Sequence, residues 1–241
     1  MAVGYITDQV LNISRGLIKD AEVRNIFGYN DAIGEEYIAA WELSQAYVYP
    51  NTALKMTANS NSTSDTSVTV RVIGLDQNYN IVAENINING TSPVTSNTEF
   101  FRINDVITIS GNAVGDIFVK NNSTTYASVS ANTGKNQASI FTVPAGHEFY
   151  LYRIDAFCAT ATLNNRTLFF RNYVRNPNGV VLQVAQTTFL DTMNIQRRLP
   201  FRYAEKSDIQ FQVKASGGTQ EIGVFGEGVL LKTPRTAPLS D

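Results

Sequence analysis

Cysteine and histidine are almost missing. The 241 residues hold one of each, Cys158 and His147, and a single tryptophan, Trp41. One cysteine excludes an internal disulfide framework and any cysteine-rich zinc site. One histidine excludes paired-histidine metal motifs. Charge is also scarce: Asp, Glu, Lys and Arg make up 17% of the chain, 19 basic against 21 acidic, for a formal net charge of -2. That balance gives no electrostatic reason to expect nucleic-acid binding. No apolar run approaches the ~18–20 residues of a membrane span. The start, Met1-Ala2-Val3-Gly4-Tyr5, has neither a positive n-region nor an apolar h-region, so no signal peptide is expected.

Neutral polar residues are abundant instead. The 24 Asn, 23 Thr and 16 Ser are about a quarter of the chain, and they must form much of its solvated surface. A hydrophobic fraction of 43% argues against wholesale disorder. The length fits one large or two small domains with a sizeable core. Charge is unevenly placed. Residues 1–45 carry net -4, residues 46–142 net -1 and residues 143–241 net +3. Complementary surfaces that meet when copies assemble, or chance, would both give this pattern.

The pattern of residues divides the chain into an arm and leading segment (1–45), a first β unit (46–142), a second β unit (143–232) and an extended tail (233–241). In the first segment, Val10-Leu11 with Ile13, and Leu17-Ile18, predict one or two short helical turns, which Gly16 interrupts. Phe27-Gly28-Tyr29-Asn30-Asp31 reads as a turn. Glu35 to Leu43 fits a short helix or an entering strand. The segment up to residue 35 is too short for a core of its own. It therefore packs on its own body or inserts into a neighbour. If it is an arm, deleting residues 1–35 leaves a folded β body.

From residue 46 the periodicity is two. Val68, Val70 and Val72 alternate with Thr69 and Arg71, and Ile86 and Ile88 alternate with Asn85, Asn87 and Asn89. Asn89-Gly90 is a strong turn signal, since both residues tolerate positive φ. Further strands are expected over 100–109, 116–120, 124–130 and 138–143, then over 148–156, 166–174, 180–189, 209–214 and 221–231. Short strands at close intervals predict an all-β chain of antiparallel sandwich units. Val143-Pro144-Ala145-Gly146 marks the expected seam. Asn176-Pro177-Asn178-Gly179 and Ser216-Gly217-Gly218-Thr219 are expected hairpin loops.

Residues with chemical potential are few. His147 follows a turn with no partnered nucleophile in view, and Cys158 lies in the small apolar run Ala156-Phe157-Cys158-Ala159. Both read as structural, the cysteine as a small hydrophobe. Asp65, Asp76 and Asp116 lie in Asn-, Ser- and Gly-rich loops of a kind that can bind calcium, but no calcium-loop motif is present. Gly74-Leu75-Asp76-Gln77-Asn78-Tyr79-Asn80 reads better as a turn whose side chains cap the backbone. Gly226-Glu227-Gly228 inside a strand marks a bulge or a close backbone approach. Arg197-Arg198 with Arg202, near Phe201 and Tyr203, is the densest basic cluster and fits partners for acidic groups better than a nucleic-acid site. Tyr5, Tyr29, Tyr37, Tyr47, Tyr49 and Trp41 crowd the N-terminal part. They fit an interface, a β core or a sugar-binding platform. No catalytic, cofactor or metal residue is assigned.

The order of several segments carries a resemblance. Phe27-Gly28-Tyr29-Asn30 comes first, then Gly74 to Asn80 with Asn89-Gly90-Thr91-Ser92. Val114-Gly115-Asp116-Ile117, Thr142-Val143-Pro144-Ala145-Gly146 and Glu205-Lys206-Ser207-Asp208-Ile209 follow. Across residues 27–231 this succession resembles a group of virion structural proteins of tailed phages, many of them aquatic or marine. The chain departs from that group in its Pro-containing tail from Thr233 to Asp241. The resemblance implies a non-enzymatic virion component of β-sandwich or jelly-roll units, a homo-oligomer that binds other virion proteins. The resemblance leaves the place on the particle open, and head decoration (cement) or a neck or collar accessory is the first expectation. A tail or fibre attachment, or a receptor- or carbohydrate-binding module, is the alternative. Phe27, Tyr29 and Trp41 are the candidate interface residues of the arm.

Overall fold

The computed structural model describes residues 9–160 and 166–233. It is all-β, as expected: the one helix among the described residues is α1 (Gln9–Ser14), and the rest of the regular structure is antiparallel strand. α1 matches the expected short turns, and Gly16, at φ +70°, ends it by donating to the Ile13 carbonyl.

Eight strands form a closed plan. β1 (Ala21–Ile33), β16 (Gln220–Lys232), β11 (His147–Cys158) and β14 (Thr192–Tyr203) make one sheet in that spatial order. β10 (Ile140–Thr142), β15 (Asp208–Ser216), β12 (Thr167–Arg175) and β13 (Val181–Phe189) make the other, with β2 (Ile38–Ala39) added along β15. Counted along the chain without β2, strands 1-8-3-6 face strands 2-7-4-5. This is the jelly-roll arrangement of two Greek keys. Its core is aromatic and aliphatic, centred on Phe149, Leu151, Phe170, Phe211 and Ile222.

A second sandwich is inserted between β2 and β10. β3 (Leu54–Ser60) lies between β6 (Val94–Phe100) and β8 (Ile117–Asn121), with β9 (Thr124–Val129) beyond β8. The facing sheet is β5 (Ile81–Asn87), β4 (Thr69–Leu75) and β7 (Arg102–Ser110). Val70, Val72, Met56, Phe100, Ile117 and Val119 fill the space between them. Here the alternation of β4 works as predicted: its valines are buried and Arg71 is exposed.

The linear division into arm, first unit and second unit is corrected. Residues 21–33 are not an arm but a strand, and every partner of β1 lies on β16. Ile26 and Ile33 enter the jelly-roll core. Removing residues 1–35 therefore takes away an edge strand of the jelly roll rather than sparing a folded body. Phe27-Gly28-Tyr29-Asn30 is not a turn. Gly28 is extended backbone crossed by residues 40 and 139, and a Cβ there would overlap the Ala40 carbonyl oxygen and the Ser139 amide. The seam also moves: β10 precedes Pro144 yet pairs with β15, so it belongs to the jelly roll. Glu35 to Leu43 contains only the two-residue β2. The Asn176–Gly179 loop is a hairpin between paired strands, but Ser216–Thr219 carries the chain from one sheet to the other. The close approach read at Gly226 and Gly228 is present: a Cβ would strike the rings of Phe211 and Phe149. Residues 1–8, with Tyr5, and residues 234–241 of the tail lie outside the described residues.

Candidate functional site

The three residues expected to make arm contacts have separate fates. Phe27 is half-buried on β1 and helps line a cleft of about 160 Å³ between the two units, with Arg24, Asp105, Lys135 and Gln137. Tyr29 is half-buried, and its amide donates to the Gln137 carbonyl at 3.2 Å. Trp41 is only 1% exposed, so within the folded chain it offers no surface. Its indole Nε1 donates to the Gln45 carbonyl at 2.8 Å. Its ring meets Tyr47 edge-on at 5.3 Å, and Tyr47 meets Tyr49 edge-on at 5.0 Å. Three of these aromatics, Trp41, Tyr47 and Tyr49, therefore form a ladder inside the segment that leads from the jelly roll into the inserted sandwich.

That ladder ends on charge. The Arg102 guanidinium lies 4.6 Å from the Tyr49 centroid and that of Arg175 lies 4.7 Å from it. Both arginines converge on Asp208. Arg102 Nε donates to Oδ1 at 2.8 Å, Arg175 Nη2 donates to Oδ2 at 2.6 Å, and Thr142 Oγ1 donates to Oδ1 at 2.7 Å. Arg102 and Asp208 are each 3% exposed. Burial opposes the charge of Arg175, but the Asp208 hydrogen bonds and carboxylate charge outweigh it and hold the guanidinium pKa above its ordinary value. Charge-assisted bonds of this kind are strong and directional. Neighbouring residues of β7 continue the seam. Asn104 exchanges two hydrogen bonds of 2.9 Å with the Thr142 backbone, and Asp105 pairs with Arg24 and Lys135. This explains why Arg102 to Val106 are all buried on an edge strand: one side faces the sandwich core and the other faces the jelly roll. Sequence reading singled out none of Arg102, Asp105 or Asp208 as a buried charge, because nothing local marks a buried ion pair.

The remaining candidates resolve into structure. His147 Nδ1 lies 2.9 Å from the Ala145 carbonyl. Cys158 is half-buried against the jelly-roll core, with Sγ 3.8 Å from Gln220 Oε1. Asp65 accepts from Ser60 Oγ, Val114 N and Gly115 N. Asp76 accepts from the amides of Asn78 and Asn80 and from the Asn80 side chain, as a capped turn should. For both carboxylates burial works against the charge, yet these donors together hold the pKa below the ordinary value. Asp116 accepts from Asn61 Nδ2 and Ala131 N. Asp65 and Asp116 thus tie the adjoining 60–65 and 114–116 loops together while Asp76 caps its own turn, and no cluster of three His, Cys, Asp or Glu able to hold a metal occurs among the described residues. The tyrosines form no stacked platform, since the rings of Tyr47 and Tyr49 stand 77° apart.

Two of the sheet edges carry a group of exposed apolar residues. β13 and β14 each pair on one side only. They expose Val181, Leu182 and Leu199, with Val180 and Leu190 beside them. In the basic cluster, Arg202 pairs with Glu148, whereas Arg197 and Arg198 have no ion-pair partner among the described residues. Isolated exposed apolar residues are ordinary, but a group of them on unpaired edges marks a contact surface.

No family model matches the chain, and no curated protein matches it. Among solved structures, it was aligned with a chain from the structure of infectious bursal disease virus Gt strain, at 9% identity and a TM-score of 0.20, covering 91% of this chain and 74% of that one. An overlay at that level assigns neither fold nor role.

Proposed function

We propose that this protein is a non-enzymatic structural component of a tailed-phage virion, a head decoration or a neck or collar accessory that binds other virion proteins in a multi-copy assembly. The observation that carries the reading is the eight-stranded jelly roll, a plan used in viral capsids, bearing a sandwich inserted in one connection. The order of the sequence segments described above supports it. So does the chemistry: the titratable side chains that meet one another do so in ion pairs and loop caps, while Val181, Leu182 and Leu199 are exposed on the edge strands β13 and β14. Capsid-type units associate through such edges and faces under closed symmetry.

The test is reconstruction of intact particles of the encoding phage, with protein mass spectrometry of the same preparation. The expected result is density for this chain, in repeated copies, at the head or neck. Absence of the chain from purified particles overturns the reading. Density only at the fibre tip, with binding on a glycan array, would replace it by receptor attachment.

A further inference from the structure

We infer that the β14 edge of one copy docks into the cleft beside β1 of a second copy, joining copies of this chain head to tail. The inference rests on the proposed multi-copy role and names its contact.

The projecting half comes from an irregularity in the ladder. β11 and β14 pair regularly from Phe157 opposite Thr192 to Arg153 opposite Gln196, and again from Leu151 opposite Phe201. Between these stretches β11 has one residue, Tyr152, while β14 has four, Arg197-Arg198-Leu199-Pro200. The surplus bulges out of the edge, as extra residues in a ladder must. Leu199 is 84% exposed, the most of any large apolar residue described. Pro200 lacks an amide hydrogen, so another strand cannot extend the sheet here. Contact at this place is through side chains: an apolar knob beside the exposed Arg198, while Arg197 is half-buried with its guanidinium 5.6 Å from the Phe201 centroid.

The receiving half lies at the other end of the same sheet. Two adjoining hollows of about 210 and 220 Å³ share Glu22, Ile81 and Leu230. The larger is walled by Ile73, Leu75 and Phe141, and Ile81 is 55% exposed at its mouth. Asp20 and Glu22 stand on the rim without ion-pair partners among the described residues. The other rim charges are Lys232 and the Arg24–Asp105 pair, which Lys135 also joins, and His147 stands beside them. Asp31 near the far end of β1, and Glu35 and Glu36 after it, are exposed away from the hollow. An apolar knob beside the exposed Arg198 thus faces an apolar hollow whose rim carries Asp20 and Glu22 next to Lys232, and opposite charge fixes orientation as well as encounter. Because β1 and β14 end one sheet on opposite sides, one copy cannot satisfy its own knob. The contact is heterologous and closes a ring, or propagates a filament where the rotation does not close.

Sedimentation velocity and native mass spectrometry of the full chain test this. The wild type should self-associate in a concentration-dependent way. Leu199→Asp, at an exposed position, and Glu22→Arg should each weaken association roughly ten- to hundredfold, the effect expected when one leucine's burial or its guiding charge is lost. Unchanged circular dichroism and melting would show that both variants fold. Mixing the two variants is decisive. Each retains the half that the other lacks, so the mixture should form one-to-one heterodimers and nothing larger. A monomeric wild type, or association untouched by either variant, overturns the contact. Such a result leaves the virion role standing if the chain is still found in particles. A chain that assembles in solution yet is absent from particles does the reverse.

Discussion

The inserted sandwich and the jelly roll solve the problem of a β surface differently. The sandwich caps its own loops. Its loops end on carboxylates that take backbone amides, at Asp65, Asp76 and Asp116, and Glu84 accepts from the amides of Asn97 and Thr98 on β6. The jelly roll leaves one side unfinished. β13 and β14 carry an exposed apolar run at Val181-Leu182, and Leu199 stands clear of the surface. The difference teaches where partners are to be sought. The sandwich offers a neighbour the apolar wall of Ile73, Leu75 and Ile81, while the open jelly-roll edge offers the projecting Leu199 and the exposed Arg198.

The junction holds the two regions to one fate, and breaking it should give the largest effect. Asp208→Ala leaves Arg102 buried without its counter-charge and frees Arg175 and Thr142. We predict a loss of about 3–5 kcal/mol, the usual result of removing one partner of a buried pair. Chemical denaturation followed by tryptophan fluorescence and by circular dichroism should then give two separated transitions in place of one. A single transition at the wild-type midpoint would show that the carboxylate does not couple the units.

A smaller effect is expected from damage confined to the jelly roll. Gly28→Ala drives a Cβ into the Ala40 carbonyl and the Ser139 amide, both backbone atoms that cannot swing aside. Overpacking of this kind costs about 1–3 kcal/mol. Thermal melting should fall as one transition, because the intact Asp208 junction couples the sandwich to the jelly roll, and a split melt would show that the coupling is absent.

The two regions should also respond to pH in opposite senses. Glu42, in the segment leaving the jelly roll, has its pKa pushed up to about 7. Burial dominates, and the amide of Gln137 donating to Oε1 offsets it only in part. Its Oε2 has no hydrogen-bond partner among the described residues. The folded state therefore keeps its proton where the unfolded chain, near 4.5, has lost it. That contribution is present at low pH and disappears as pH rises through about 7. Glu42→Gln should remove this dependence and stabilise the protein at pH 8 by on the order of 1–2 kcal/mol. Equal pH profiles for variant and wild type between pH 5 and 8 would refute it.

Legibility in the sequence followed the same divide. β4 could be read because one of its faces is solvated and the other buried, so Val70, Arg71 and Val72 alternate. β1 could not, because Gly28 and Asn30 look like turn residues. They are present for other reasons: Gly28 lets other backbone cross, and Asn30 Nδ2 donates to the Trp41 carbonyl at 2.6 Å. β14 was missed because its bulge breaks the period of two. The insertion was hidden because β1 pairs with the last strand, β16, and no local signal records a partner so distant in the chain. The basic cluster was visible, but only the ladder shows that two of its arginines sit on an outward bulge. Trp41 drew notice as an aromatic near an arm, and a fully packed aromatic looks the same in a sequence as an exposed one.

The smallest effect sharpens the comparison from the sandwich side. Asp76 caps an exposed turn between β4 and β5, accepting at 2.8 Å from each of the Asn78 and Asn80 amides. Burial opposes its charge, but these donors win and lower its pKa, as the donors to Asp65 lower that of Asp65. A depressed carboxylate contributes stability that is complete above the unfolded pKa of about 3.9 and is lost as pH falls through the folded value. Acid should therefore weaken the sandwich over the range in which Glu42, protonated, favours its own side of the molecule. Asp76→Ala should cost about 0.5–1 kcal/mol at pH 7, near the lower end for a hydrogen-bonded charge because the turn is open to water. The cost should shrink at pH 3, where the wild-type carboxylate is itself being lost. A cost that stays constant from pH 7 to pH 3 would mean that the turn is held by Asn80 and the backbone rather than by the carboxylate, and that the sandwich owes its capped loops to shape rather than to charge.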